Sequence, residues 1–364
     1  MRSRVRAATA RNVNRNEQDT GRREMQSRDG RRGTRQGIFL TLGLAALLGA
    51  TLGASWNDAC AKQPAPAGRT FASPEAATEA LVAAAKSDDT AALIAILGPD
   101  SKSIITSGDP VADEASRSRF AASYDAGHKL VASGDGEMTL ETGSDGWPMP
   151  IPLVKTDSGW RFDTARGKQE ILDRRIGKDE LSAIQACLAY VDAQREYNDR
   201  NPQGELMPTY AQHFSSSAGK RDGLYWPEKE GEAPSPLGPL FAEAKGHGYA
   251  LGSGSGAPYL GYHYRILDAQ GPHAPGGKYS YVVRGKMIGG FAMVAYPAQW
   301  RASGVYTFIV NHEGVVYEKD LGPDTEKIAS KMTAFDPDST WHKVDISTPA
   351  APAPTNAGSG AAAG

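Results

Sequence analysis

Two strand patterns at 305–310 and 315–320, separated by Asn311-His312-Glu313-Gly314, narrow the fold of this 364-residue chain sharply. Asn opening and Gly closing a short polar break between β-rich runs specify an antiparallel hairpin. Further strand patterns occur at 259–268, 279–284 and 290–296. In the first of these Tyr262, Tyr264 and Ile266 alternate with His263 and Arg265. A sheet with one apolar face needs a cover. The residues 179–197 supply one, with Leu181, Ile184, Leu188 and Val191 at helical spacing. The simplest arrangement is an antiparallel β-meander behind that helix, an outline it shares by analogy with pilin-like globular domains.

The preceding region is patterned differently. Ser73-Pro74-Glu75-Ala76 is a helix start, and helical signals run through 81–85 and 89–97 until Gly98-Pro99 stops them. A further helix is expected over 113–124, then strands at 137–142, 149–155 and 159–163, the last two forming a hairpin. A short helix follows at 168–176. Helices followed by a curved antiparallel sheet give the outline of the cystatin/NTF2-like folds. The class is therefore α+β. The expected division is 1–61 leader, 62–70 linker, 71–177 N-terminal α+β unit, 178–203 bridging helix, 204–346 C-terminal β-rich unit and 347–364 tail poor in large apolar residues.

Charge divides the chain at the leader. Eleven arginines and four acids precede Ile38, whereas from Lys62 onward 29 Lys and Arg face 37 Asp and Glu. The body is acidic and lacks the electrostatic footprint of a nucleic-acid binder. Residues 38–54 carry no charge, and Ala59-Cys60-Ala61 places small residues where a signal peptidase requires them. Cleavage after Ala61 and a periplasmic or cell-envelope location are expected. The alternative is an uncleaved single-pass inner-membrane anchor, the only membrane contact the sequence supports. With Cys60 removed, Cys187 has no disulfide partner and reads as a core residue.

No catalytic constellation stands out. Gly252-Ser253-Gly254-Ser255-Gly256 lacks the lysine-serine pair of a phosphate loop. Asp199-Arg200-Asn201-Pro202-Gln203-Gly204 echoes half a calcium loop but has Tyr210 where the bidentate Glu belongs. His247, His263, His273 and His312 are not at metal-ligand spacings, and a set of Ser280, His263 and Asp320 has no nucleophile elbow behind it. No metal site and no cofactor are expected. The better polar candidates are Arg174 and Arg175 with Lys220 and Arg221, beside Tyr225 and Trp226 as an aromatic wall. The competing reading of the same residues is an interdomain salt-bridge cluster.

Several blocks agree in order with a known family. They are Asp173-Arg174-Arg175-Ile176-Gly177, Lys220-Arg221-Asp222-Gly223-Leu224-Tyr225-Trp226, Gly261-Tyr262-His263-Tyr264-Arg265-Ile266-Leu267, Gly289-Gly290-Phe291-Ala292 and Val316-Tyr317-Glu318-Lys319-Asp320. Over residues 71–344 the chain resembles the bacterial exported family called domain of unknown function 2950. The resemblance implies an envelope location and carries over no catalytic residue. The preferred function is a non-enzymatic binding or interaction module for an envelope component or small ligand. The alternatives are a hydrolase with its site in the C-terminal unit, or a pilin-like structural subunit.

Overall fold

Ser73 starts the first helix, α1 (Pro74–Lys86): the Ala76 amide donates to its hydroxyl at 3.2 Å, and Pro74 sits where no amide partner is needed. The computed structural model describes residues 68–249 and 256–345. Asp89 caps α2 (Thr90–Leu97) through the Ala92 amide at 2.8 Å, and Gly98 ends it at φ +90°. A short α3 (Lys102–Ile105) precedes α4 (Pro110–Ala126), which Asp109 caps. Then come β1 (His128–Gly134), β2 (Glu137–Thr142), β3 (Trp147–Pro148), β4 (Leu153–Thr156) and β5 (Gly159–Phe162). They form an antiparallel sheet in the order β1-β2-β4-β5, with β3 also on β2. Leu81, Leu93, Ile96, Leu153 and Phe162 are the centre of its core.

Two details depart from the sequence reading. β1 shows no apolar alternation, and only Leu130 is half-buried; antiparallel pairing with β2 holds it in the sheet. The strand expected from 149 begins at Leu153, because Pro150 and Pro152 cannot donate to a ladder.

The largest departure is α5 (Thr164–Arg200). Its 37 residues form one helix where two were expected. Gly177 does not break it, since no proline occurs before Pro202 and the cost of one helical glycine is only about 1 kcal/mol. At 1.5 Å per residue the helix is about 55 Å long. Its buried face centres on Ala183, Cys187, Tyr190, Gln194 and Tyr197 and keeps Val191 of the expected stripe; Ile184 and Leu188 pack at its edge, and Leu181 is 45% exposed. The Cys187 thiol is fully buried, which pushes its pKa up to about 12.

The alternative of a single-pass membrane anchor is corrected at this point. Among the described residues no helix is long and apolar enough to cross a membrane. Even α5, which has the length, carries charges at both ends of its uncharged 181–191 stretch and is too polar. The apolar run at 38–54, the Ala61 cleavage site, most of the glycine run at 252–256 and the tail lie outside the described residues.

Beyond α5, β6 (His213–Ser215) pairs in parallel with β7 (Gly223–Tyr225), and α6 (Gly238–Gly246) follows. β8 (Tyr262–Leu267) enters the main sheet. The short β9 (Ala269–Gln270), β10 (Tyr279–Ser280), β11 (Val282–Val283) and β12 (Lys286–Met287) lie outside it. β13 (Ala292–Pro297), β14 (Tyr306–Asn311) and β15 (Val316–Asp320) continue the sheet. After α7 (Thr325–Ala329), β16 (Ala334–Phe335) joins β9, and β17 (His342–Lys343) completes the order β17-β15-β14-β13-β8. The β14–β15 hairpin stands as expected and α5 lies across one face of the sheet, but the strand expected at 279–284 is only the short β10 and β11, which pair outside it. β13 is buried at every position because α5 covers one side while Ala329 and Phe335 belong to the core on the other. Inside, the Gln194 side chain exchanges two 2.8 Å hydrogen bonds with the backbone of Ala211, and Tyr190 donates to the Ala292 carbonyl at 3.1 Å.

Candidate functional site

The N-terminal half of α5 carries Arg174, Arg175, Lys178 and Asp179. Residues four apart share a helix face, so Arg174 lies on the same face as Lys178, and Arg175 on the same face as Asp179. Arg175 reaches back to the end of α3, donating to the carbonyls of Ser103, at 3.0 Å, and Ile104. Arg174 pairs with Glu170 and lies over the Trp147 ring at 5.0 Å.

Three carboxylates converge beside these cations. Asp109 is fully buried: besides capping α4, it accepts 2.8 Å bonds from the Tyr249 hydroxyl and the Gly261 amide. Asp113, one turn on, accepts from the Ser107 amide at 2.9 Å. Asp179 is 6% exposed and lies so close to Gly261 that a Cβ added there would meet its Oδ2 at 2.6 Å. Gly261 also has φ +80°, so both backbone conformation and space demand glycine. Burial pushes the Asp179 pKa up to about 7; Lys178 and Arg175 oppose that rise, and Asp109 and Asp113 add to it. Burial also lowers the Arg175 pKa from its ordinary value, against the pull of Asp113 and Asp179.

These cations and carboxylates, all but Asp109, line a cleft of about 580 Å³. Its walls are apolar side chains of α1 to α4, of the β3–β4 segment and of α5, among them Leu93, Ile105, Phe120, Met149 and Ile171. Its charged lining is mostly cationic: Arg117, Arg119, Arg174, Arg175 and Lys178 against Asp113 and Asp179. A largely apolar cavity with a few converging polar groups, one of them a buried carboxyl with a raised pKa, is the usual form of a ligand site.

A family model matches residues 68–344, three quarters of the chain and all the cleft residues named above. The chain belongs to the family described as a protein of unknown function, DUF2950. No curated protein and no solved structure matches it.

In this DUF2950 chain the residues Arg174, Arg175, Lys220, Arg221, Tyr225 and Trp226 do not form one site. Arg174 and Arg175 edge the cleft, whereas the other four gather near Tyr197, about 33 Å farther along the same helix. There Arg221 pairs with Glu232 at 2.6 Å and lies over Trp226, and its carbonyl accepts from the Tyr197 hydroxyl. Trp226 is buried, Tyr225 stacks on Phe241 at 4.2 Å, and the Lys220 amide closes a turn on Ser217.

The histidines are likewise dispersed. His263 stacks on Tyr296 along a second, aromatic-lined cavity of about 670 Å³, whereas His273 bonds Asp336 at 3.0 Å. Ser280 and Asp320 hydrogen-bond elsewhere than to His263. Residues 199–204 end α5, with Asn201 left-handed and bonded to Glu205. Among the described residues no group of three or more His, Cys, Asp and Glu could hold a metal ion. Sequence reasoning missed Asp109, Asp179 and Lys178. Lys178-Asp179-Glu180 reads as a solvated charge run, and only the Gly261 turn, far along the chain, buries its middle residue.

Proposed function

We propose that this DUF2950 protein is a non-enzymatic binding module whose ligand sits in the cleft between α4, the first sheet and α5. The carrying observation is an apolar cleft of ligand size edged by Arg174, Arg175 and Lys178 from one helix. The cone of helices over a curved antiparallel sheet, the outline of cystatin/NTF2-like folds, supports the reading, because such a cone leaves an opening between its layers. The pilin-like outline of the meander supports assembly less well, since α5 and α7 lie over its faces. Arg174 and Arg175 are the binding residues kept from the sequence candidates. Lys220, Arg221, Tyr225 and Trp226 serve the fold.

The neutral dye Nile red tests this. Wild-type protein should bind it saturably. Ile171→Arg, which places a charge in the cleft wall, should weaken binding about tenfold or more, while Leu181→Arg on the exposed face of α5 should leave it unchanged. Absence of saturable binding, or equal binding by both variants when thermal unfolding shows both folded, would refute the proposal. A turnover that Ile171→Arg abolishes would make the protein an enzyme instead.

A further inference from the structure

The charge distribution of the cleft narrows its ligand. Arg119 on α4 and Lys178 on α5 both line the cleft and are both exposed. Among the described residues neither forms a salt bridge: Arg119 donates to the Ser116 hydroxyl at 2.8 Å, and Lys178 acts on the buried Asp179 only as a nearby charge. Two helices thus bring cations that are not tied into salt bridges to one mouth. Behind them the cleft turns apolar, toward Leu93, Phe120 and Ile171. Trp147, 55% exposed, stands at the same mouth, and its outer ring face is taken by Arg174.

Resting on the binding reading above, we infer that the cleft takes a single-chain amphipathic carboxylate, with its head at Arg119 and Lys178 and its acyl chain among the apolar walls. Three considerations converge. A cation beside low-dielectric walls interacts with an anion far more strongly than one in bulk water. A neutral or cationic amphiphile would leave both cations unneutralised or repelled. Size sets the third limit: at about 30 Å³ for each water-sized group, 580 Å³ holds about twenty heavy atoms. That is one acyl chain and not a two-chain lipid.

The test is displacement of Nile red from the full chain by dodecanoate, dodecanol and dodecyltrimethylammonium, all below their aggregation limits, with butyrate as a head without a chain. Dodecanoate should displace the dye at a concentration about tenfold below dodecanol, the cation should be weakest, and butyrate should fail. In a variant carrying Arg119→Gln and Lys178→Gln, dodecanoate should fall to the level of dodecanol while dodecanol itself is unchanged. That unchanged value shows that the cleft is still formed. Equal displacement by acid and alcohol in wild type, or preference for the cation, would overturn the inference and leave the binding module standing. If wild-type protein does not bind Nile red, the binding module itself fails.

Discussion

Replacing Asp179 by asparagine should make this protein more stable, and increasingly so as pH rises. The Asp179 carboxyl is buried against the Gly261 turn and its pKa is raised from 3.8 to about 7. The folded chain therefore holds a proton there that the unfolded chain releases above about pH 4. Wild-type stability consequently loses about 1.4 kcal/mol for each pH unit between about pH 4 and about pH 7 through this one group, and the loss stops above that range. Asparagine has the shape of the protonated acid and does not titrate. The stability gap between Asp179→Asn and wild type should thus be near zero at about pH 4, widen through the acid range, and level off at roughly 4 kcal/mol above neutrality. Urea unfolding of both proteins across that range measures it, because Glu180 and Glu318, whose pKa values burial also raises, contribute to both curves and cancel in the difference. A gap that does not vary with pH, or an asparagine variant less stable above neutrality, would mean that Arg175 and Lys178 hold Asp179 ionised and would refute the argument.

Two further outcomes follow from the same helix. Gly177→Ala should stabilise the fold by about 1 kcal/mol, since nothing lies within 4 Å of the new Cβ, whereas Gly167→Ala should destabilise it by roughly 1–3 kcal/mol because its Cβ would meet the Pro150 carbonyl oxygen at 2.4 Å; urea midpoints of the two variants must move in opposite directions. Gln194→Leu should cost about 2–4 kcal/mol in the same assay, since it leaves the buried amide and carbonyl of Ala211 without partners.

The sequence disclosed the parts of this molecule whose signals are local. The 311–314 turn, the alternation of Tyr262 and its neighbours, and the helix start at Ser73-Pro74 each act through residues a few positions apart, and the structure places the corresponding elements there. Where the stabilising partner is distant, the pattern misled. β1 is a strand because β2 pairs with it, although its own residues are mostly exposed. The buried face of α5 uses Ala183, Gln194 and Tyr197, whose composition looked weaker than the Leu181 stripe beside it; Ala211 and the meander select that face. The site divides in the same way. Arg174 and Arg175 stand out as cations in the sequence, but Asp109 lies ahead of the helix expected from 113 and Asp179 opens the 179–197 helix among other charges, so neither is marked as buried. Their burial depends on Tyr249 and Gly261, which no short window contains.

The unbroken course of α5 has a consequence for how the protein can be taken apart. Its first half supplies Leu172 to one core and its second half supplies Tyr190 to the other, so neither core is complete without a piece of the same rod. A cut anywhere between them would leave two frayed ends with unpaired carbonyls and amides, and would strip each fragment of the turn that seeds its neighbour's packing. The halves therefore cannot be exchanged, deleted or transplanted as independent modules. The side chains around Arg175 are fastened to the meander by one continuous helix, and a change in its tilt would be felt at both ends.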